Sequence, residues 1–191
     1  MATREETKQF IRDFDAVAML EHWKHGIPAS ITLAQAIIES AWGESKLSTK
    51  YKNYFGIKSH GVAGGTIMQT AEHSPTKGYY SVADSFRVYA TPIDSFKDHS
   101  AFLMNNPRYK GLWEEKDYVG WANGLQKAGY ATSPTYAEKL IAIIEQHKLY
   151  RFDVVGQKKK VATTSVGGIS IDINIHGLGE EHIKINKINK T

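Results

Sequence analysis

The sequence predicts an α+β fold that is mainly helical, with a small β-hairpin lobe inserted among the helices and a second β-hairpin at the C-terminal end. Three observations support this class. Apolar residues recur at helical spacing through much of residues 4–148. Between residues 61 and 90 the composition changes to β-branched and aromatic residues with glycine and proline between them. From residue 169 onward isoleucine alternates with polar residues, as in a half-buried strand.

The first helix is predicted at residues 4–24. Phe10, Phe14 and Val17 recur at the spacing that places their side chains on one helix face. Gly26 follows as a residue suited to the left-handed conformation that ends many helices. The pattern therefore indicates an amphipathic helix that packs on a core.

The second helix is predicted at about residues 30–42. Pro28 lies just ahead of it, Ser30 is a candidate cap, and Gly43 is a candidate terminator. Its apolar face comprises Ala34, Ile37, Ile38 and Ala41.

Glu39 falls beside the apolar face of this second helix, near Gln35 and one turn before Trp42. A carboxylic acid held against apolar and aromatic surface has its charged form disfavoured, so it can stay protonated near neutral pH. Such an acid can protonate the leaving group of a glycosidic bond. A lone helix glutamate is more often solvated, so the case for Glu39 depends on the rest of the chain.

The β-hairpin lobe is predicted from strands at residues 66–72 and 79–89, which are separated by a turn-forming segment. Directly after it, Thr91 and Asp94 have the spacing of a capping box, which marks the start of another helix. The helices predicted after the lobe span residues 92–104, 117–128 and 134–148.

Composition is that of one globular domain with an appendage: 191 residues, 41% hydrophobic and 23% charged. No cysteine is present, which excludes disulfides and thiolate chemistry. No apolar run is long enough to span a bilayer, and the polar N-terminal residues predict no Sec-type signal.

The net charge of +4 arises mostly in residues 151–191, with seven Lys or Arg and four Asp or Glu. The nearly neutral remainder argues against nucleic acid as a partner.

Several separate stretches between residues 26 and 149 resemble glycoside hydrolase family 73, the bacterial endo-β-N-acetylglucosaminidases that cut peptidoglycan. Each stretch alone is weakly specific, but their number and order over some two-thirds of the chain make a specific resemblance. The matching stretches are residues 27–36, Glu39-Ser40-Ala41-Trp42-Gly43-Glu44-Ser45, Asn53-Tyr54-Phe55-Gly56-Ile57-Lys58, Phe86-Arg87-Val88-Tyr89, Ser95-Phe96-Lys97-Asp98-His99, Asn106-Pro107-Arg108-Tyr109 and Tyr136-Ala137-Glu138-Lys139-Leu140.

The resemblance implies a lysozyme-like helical lobe, with a substrate groove between it and the β-hairpin lobe. It also implies that Glu39 is the general acid. The second catalytic group stays open among three alternatives: Glu72 on the hairpin, Asp98 on the following helix, or the N-acetyl oxygen of the substrate itself. Of these, Glu72 is the first choice, although its surroundings differ from the family's usual Thr-Glu-Tyr-like stretch. In the non-catalytic interpretation, Glu72 is an exposed strand glutamate, paired with Lys77 or unpaired. Asp98 is then a structural carboxylate that bonds to the backbone or to a tyrosine.

Several side chains are candidates for substrate contact, because flat apolar rings suit the C–H faces of sugars and amides suit acetamido groups. Aromatic residues at these spacings are also common in cores. No histidine has metal-ligand spacing, so no metal and no cofactor are predicted. The candidates are Trp42, Asn53, Phe55, Tyr109, Tyr130 and Tyr136, of which the two last tyrosines match one that the family places near its acid.

The predicted domain organisation is a catalytic domain at residues 1–152, with its β-lobe at about 61–90, a lysine-rich linker at 153–168 and a hairpin at 169–191. A two-stranded hairpin is marginal by itself, so its isoleucine face is expected to pack on the body, on a second copy or on a partner protein.

The functional prediction is an autolysin-like peptidoglycan hydrolase that acts on the bacterial cell wall and cleaves after N-acetylglucosamine. Without a Sec signal, export is expected through a phage or secretion-system route, or after removal of a leader. One alternative is a muramidase or lytic transglycosylase that acts at N-acetylmuramic acid. Another is a non-catalytic wall-binding or assembly protein, since a fold by itself does not determine activity.

Overall fold

Helices form most of the chain in the computed structural model, which describes residues 3–59, 65–74, 78–153, 164–166, 169–175 and 181–187. No helix in these ranges has the length and apolar composition needed to cross a membrane. The helices are α1 (Arg4–His25), α2 (Ala29–Ser40), α3 (Lys46–Tyr51), α4 (Pro92–Asn105), α5 (Tyr118–Lys127) and α6 (Tyr136–Gln146), with 3₁₀ helices at Pro107–Glu114 and Leu149–Phe152.

Helix α2 lies at the centre of the helical body, in contact with α1, α5, α6 and the 3₁₀ helix Leu149–Phe152. Every residue from Ala29 to Ile37 is buried, and all of them except Gln35 are apolar or small. Helices α1, α5 and α6 present one apolar face to it, as the sequence pattern predicts. Burial of α2 therefore sets the positions of the helices around it.

The start of α2 differs from the prediction that Ser30 caps it. Pro28 occupies the cap position and makes no side-chain cap bond. Instead, the Asp153 carboxylate accepts from the Ser30 backbone N–H at 2.8 Å and from the Ser30 hydroxyl at 2.5 Å. A residue 123 positions away in the chain thus satisfies the first turn of the central helix.

The inserted lobe is an antiparallel pair, β1 (Thr66–Ser74) with β2 (Gly78–Phe86), in the predicted place. Its base is fastened to the body, because Ser59 N–H donates to Ser85 O at 2.8 Å and Arg87 N–H donates to Ile57 O at 2.9 Å. These bonds connect the hairpin to the segment that follows α3.

The predicted capping box of α4 is confirmed. The Thr91 hydroxyl accepts from Asp94 N–H at 3.3 Å, and the Asp94 carboxylate accepts from Thr91 N–H at 3.0 Å. The short helix α3 and both 3₁₀ helices were not predicted, because each is too short to show a period.

The C-terminal region forms a three-stranded antiparallel sheet: β3 (Thr164–Val166), β4 (Ile169–Ile175) and β5 (Glu181–Lys187). Strand β3 falls within the segment predicted as a linker, and it runs beside α1. In the β4–β5 register Ile171 pairs with Ile185 and Ile173 pairs with Ile183, in agreement with the alternating pattern. Residues 176–180 and 188–191 of the predicted hairpin lie outside the described residues.

Replacing Asp153 with alanine is expected to lower the free energy of unfolding by roughly 1–3 kcal/mol, because the buried Ser30 N–H and hydroxyl lose their acceptor. Urea denaturation at pH 7 measures this loss. The matched control is Glu114→Ala, since that carboxylate is exposed. Equal midpoints for the two variants would show that the long-range cap contributes nothing to stability.

Candidate active site

Glu39 sits in the last turn of α2 and is half-buried. The helix ends at Ser40, earlier than predicted, because Ala41 and Trp42 both take left-handed conformations with φ of 50° and 62°. Ser40 stabilises this tight turn, since its hydroxyl donates to Ala36 O at 2.5 Å and accepts from Gly43 N–H at 2.8 Å. Glu39 is therefore held at the end of a rigid buried helix, just before a sharp change in chain direction.

The carboxyl of Glu39 has one hydrogen bond within the described residues, from the Tyr136 hydroxyl to Oε1 at 3.0 Å. Burial raises the pKa of Glu39 to about 7, and the bond from Tyr136 acts in the opposite direction. Since Oε1 accepts from the phenol, Oε2 is the oxygen available to carry the acidic proton. This carboxyl can be both a proton donor and a proton acceptor near neutral pH.

Two further buried side chains are linked to the Tyr136 hydroxyl by hydrogen bonds that run toward the core. Gln35 Nε2 donates to the Tyr136 hydroxyl at 3.1 Å, and Gln35 Oε1 lies 3.1 Å from His99 Nε2. Gln35 and His99 are fully buried. Neither residue was predicted to belong to the site, although Gln35 lies four residues before Glu39 and therefore on the same helix face.

Tyr130 extends the surface beside Glu39. Its ring stacks on Tyr136 with centroids 5.6 Å apart and an interplanar angle of 17°. It also contacts Phe102 edge-on at 6.3 Å and Tyr109 at 6.0 Å. Tyr130 and Phe102 are partly exposed, whereas Tyr109 and Tyr136 are buried, so Tyr130 and Phe102 are the rings of this group that a sugar could reach.

Asp98 has a different environment from Glu39. Arg87 Nη1 donates to both carboxylate oxygens at 2.7 Å, and the Tyr89 hydroxyl donates to Oδ2 at 2.5 Å. These contacts join the end of the hairpin lobe to α4. A cavity of about 270 Å³ beside this cluster is lined by Arg87, Asp98, Ala101, Phe102, Asn105, Asn106 and Pro107.

Glu72 lies on β1 in register with Tyr80. Its position on the inserted hairpin agrees with the sequence pattern, while its side chain lies outside the described residues. The catalytic role of Glu72 stays a prediction.

Three of the residues predicted to contact substrate do not lie beside the Glu39 carboxyl. Trp42 packs edge-on against Phe10 and His147, and it lines a groove of about 540 Å³ that Glu39 does not line. Asn53 is fully buried. It uses its amide in four hydrogen bonds to backbone groups, so contact with a sugar would require breaking this turn. Phe55 is buried and stacks on His99 at 4.0 Å.

No group of three or more His, Cys, Asp or Glu side chains suited to a metal ion occurs among the described residues. The phenols of Tyr130 and Tyr136 are the polar groups described beside the Glu39 carboxyl.

Comparison with known proteins identifies relatives of this chain. A family model described as glucosaminidase, mannosyl-glycoprotein endo-beta-N-acetylglucosaminidase, matches residues 16–149. Exo-glucosaminidase LytG of Bacillus subtilis is 34% identical over 175 residues, which cover 89% of this chain and 58% of that protein. Peptidoglycan hydrolase FlgJ of Escherichia coli K12 is 32% identical over 148 residues, covering 75% and 47%. The chain thus spans about half the length of these curated relatives.

Among solved structures, the catalytic domain of the autolysin Auto from Listeria monocytogenes has a TM-score of 0.70 to this chain at 33% identity. The match covers 80% of this chain and 90% of the solved chain. The mainly helical body with its small two-stranded sheet is therefore shared with that catalytic domain.

The raised pKa of Glu39 predicts a pH-dependent effect of Glu39→Gln on stability. In the unfolded chain Glu39 ionises near pH 4.5, whereas in the fold it stays protonated until about pH 7. Its stability contribution is therefore complete below pH 4.5 and is lost as pH rises through 7. Glutamine stays neutral, so the variant should gain up to about 3 kcal/mol relative to the wild type between pH 4 and pH 9.

Chemical denaturation of both proteins at several pH values measures this difference. Glu138→Gln is the matched control, because Glu138 is exposed on α6 and its replacement should give no such trend. A stability difference for Glu39→Gln that does not vary with pH would contradict the buried-acid interpretation.

Proposed function

The chain belongs to the glucosaminidase family, glycoside hydrolase family 73, and from this membership we propose that it hydrolyses the β-1,4 bond after N-acetylglucosamine in peptidoglycan. The observation that carries the proposal is the Glu39 carboxyl at the end of α2, half-buried, bonded to Tyr136 and with a pKa of about 7. An acid of this kind protonates a glycosidic oxygen at neutral pH.

In the proposed reaction, Glu39 Oε2 donates its proton to the bridging oxygen as the bond to the anomeric carbon breaks. The sugar then acquires oxocarbenium character, and a second group must stabilise it or activate water. Tyr136 supports the resulting Glu39 carboxylate by donating to Oε1. The exposed part of Tyr130 offers a ring for the sugar next to the acid.

We place the second catalytic function at Glu72 rather than at Asp98. Both oxygens of Asp98 accept from Arg87, and one also accepts from Tyr89, so this carboxylate is already engaged in joining α4 to the hairpin. A nucleophile or base needs an available lone pair directed at the substrate or at water. The acetamido oxygen of the substrate is the remaining alternative.

The proposed catalytic unit is residues 1–152, and its substrate is the glycan strand of the bacterial cell wall. We propose internal cleavage, in line with the family description, although LytG carries the name of an exo-acting enzyme. A role for the sheet after residue 163 in binding a partner or a second copy stays a prediction.

Glu39→Gln is expected to lower turnover of purified peptidoglycan by about 10²–10⁴-fold, because glutamine cannot donate the proton. Binding to the wall should persist, since the variant keeps the shape of the side chain. Glu138→Gln should keep wild-type activity. Full activity of Glu39→Gln would disprove the assignment of the acid.

Mass spectrometry of the released fragments tests which bond is cut. Reducing ends of N-acetylglucosamine support the proposal, whereas N-acetylmuramic or anhydro-muramic ends would show a muramidase or a lytic transglycosylase. Long early fragments support internal cleavage, and disaccharides from the start would indicate exo action. Wall binding by the wild type without any released sugar would show a non-catalytic protein.

Two further variants separate the candidates for the second group. Glu72→Gln should lower turnover without lowering the midpoint of thermal unfolding. Asp98→Asn should mainly lower that midpoint, because Arg87 loses its partner charge in a half-buried contact. The reverse pattern would assign the second function to Asp98.

The pH dependence of the rate follows from the same carboxyl. Glu39 must be protonated to act, so kcat/KM should fall as pH rises through about 7, approaching tenfold per pH unit above it. Rates on soluble glycan fragments between pH 5 and 9 measure this decline. A decline that is already complete near pH 5 would show that Glu39 ionises like an exposed glutamate.

A further inference from the structure

A directed line of hydrogen bonds runs from the core to Glu39. Tyr136 has a single hydroxyl proton, which it uses to donate a hydrogen bond to Glu39 Oε1. Its oxygen must therefore accept the hydrogen bond with Gln35 Nε2. The amide of Gln35 then presents its carbonyl oxygen to His99. His99 Nε2 must therefore carry a proton and donate it to Gln35.

The surroundings of His99 agree with this tautomer. The other ring nitrogen, Nδ1, is buried and has no hydrogen-bond partner among the described residues. At this buried position, an acceptor nitrogen without a partner costs less free energy than an N–H without a partner would. Burial lowers the pKa of His99 to about 3, so the ring stays neutral, and it stacks on Phe55 at 4.0 Å. A neutral imidazole with its proton on Nε2 thus begins the line.

We propose that Gln35 and His99 are positioning residues for the general acid: they hold the Tyr136 hydroxyl in the orientation that donates to Glu39 Oε1 and leave the transferable proton on Oε2. This inference rests on the proposed role of Glu39. Neither residue touches the substrate in this scheme. Each acts through the next partner in the line.

Rotation of the Tyr136 hydroxyl is the motion that this arrangement prevents. Without Gln35, the phenol oxygen has no donor, and its proton is free to point away from Glu39. The carboxylate form of Glu39 would then lose part of its stabilisation, and the proton could settle on either oxygen. The maximal rate should fall, and the acid should stay protonated to a higher pH.

The pH profile reports this effect cleanly. Tyr130 and Tyr136 are the titratable groups on the described elements that interact electrostatically with Glu39. Burial raises the pKa of both phenols well above the usual value, so they stay neutral through the working range. The decline of the rate above pH 7 therefore follows Glu39.

Tyr136→Phe and Gln35→Leu test the proposal. Tyr136→Phe should lower kcat. It should also raise the pH at which the rate declines by about one unit, because the charged form of Glu39 loses a hydrogen bond. Gln35→Leu should shift it in the same direction by less. In the Tyr136→Phe background, Gln35→Leu should cause no additional shift, because Gln35 acts through the hydroxyl.

Gln126→Leu is the matched control. Gln126 Oε1 accepts from Ala137 N–H at 2.9 Å, so its loss disturbs the start of α6 beside Tyr136 without touching the line. This variant should lower stability and leave the pH of the decline unchanged. If Gln35→Leu behaves in the same way, Gln35 is only structural and the proposal fails.

Two measurements by nuclear magnetic resonance do not depend on activity. The ¹⁵N shifts of wild-type His99 should show a neutral ring protonated at Nε2; protonation at Nδ1 would reverse the line and overturn the proposal. The pKa of the Glu39 carboxyl, measured by ¹³C titration, should be higher in Gln35→Leu than in the wild type. A wild type that titrates as expected but releases no sugar would contradict the proposed function and leave the hydrogen-bond line intact.

Discussion

The structure around Glu39 depends on one hydrogen bond, from the Tyr136 hydroxyl to a carboxyl that burial removes from water. Burial favours the protonated form, and the phenol stabilises the carboxylate that remains after proton transfer. The balance between these opposing effects keeps the carboxyl near its point of half-ionisation at neutral pH. A stronger partner, such as an arginine, would hold the carboxyl ionised and remove its ability to donate.

That hydrogen bond requires two helices far apart in the chain to meet at a fixed distance. Helix α2 is buried from its first residue, and its first turn is held by Asp153. Helix α6 packs on α2 and brings Tyr136 to the last turn, 97 residues after Glu39. The left-handed turn at Ala41 and Trp42 then directs the chain away, so the acid terminates a rigid element.

Glu39 and Asp98 show how surroundings separate the roles of two carboxyl groups. Glu39 has a neutral donor and is desolvated by burial, whereas Asp98 accepts from a guanidinium on both oxygens and from the Tyr89 phenol on one. The first arrangement supports proton transfer, and the second supports attachment of the hairpin to α4. Arg87, just after β2, therefore links the inserted lobe to the helical body that carries the acid.

Local sequence was sufficient for the longer helices and the inserted hairpin, because periodicity and caps act over a few residues. The helices near 4–24 and 92–104, the capping box at Thr91, the inserted hairpin and the location of Glu39 on the second helix all follow from that short range. Resemblance of separate motifs was sufficient for the family.

Only the tertiary structure decided which polar groups meet. Asp153 caps α2 from 123 residues away, and His99 reaches Gln35 across 64 residues. Asn53 and Phe55 were predicted as substrate contacts and lie in the core, since spacing cannot separate a groove wall from an interior face. Burial and hydrogen-bond partners depend on packing between distant segments, and packing determines whether a given glutamate is an acid, an anchor or a solvated side chain.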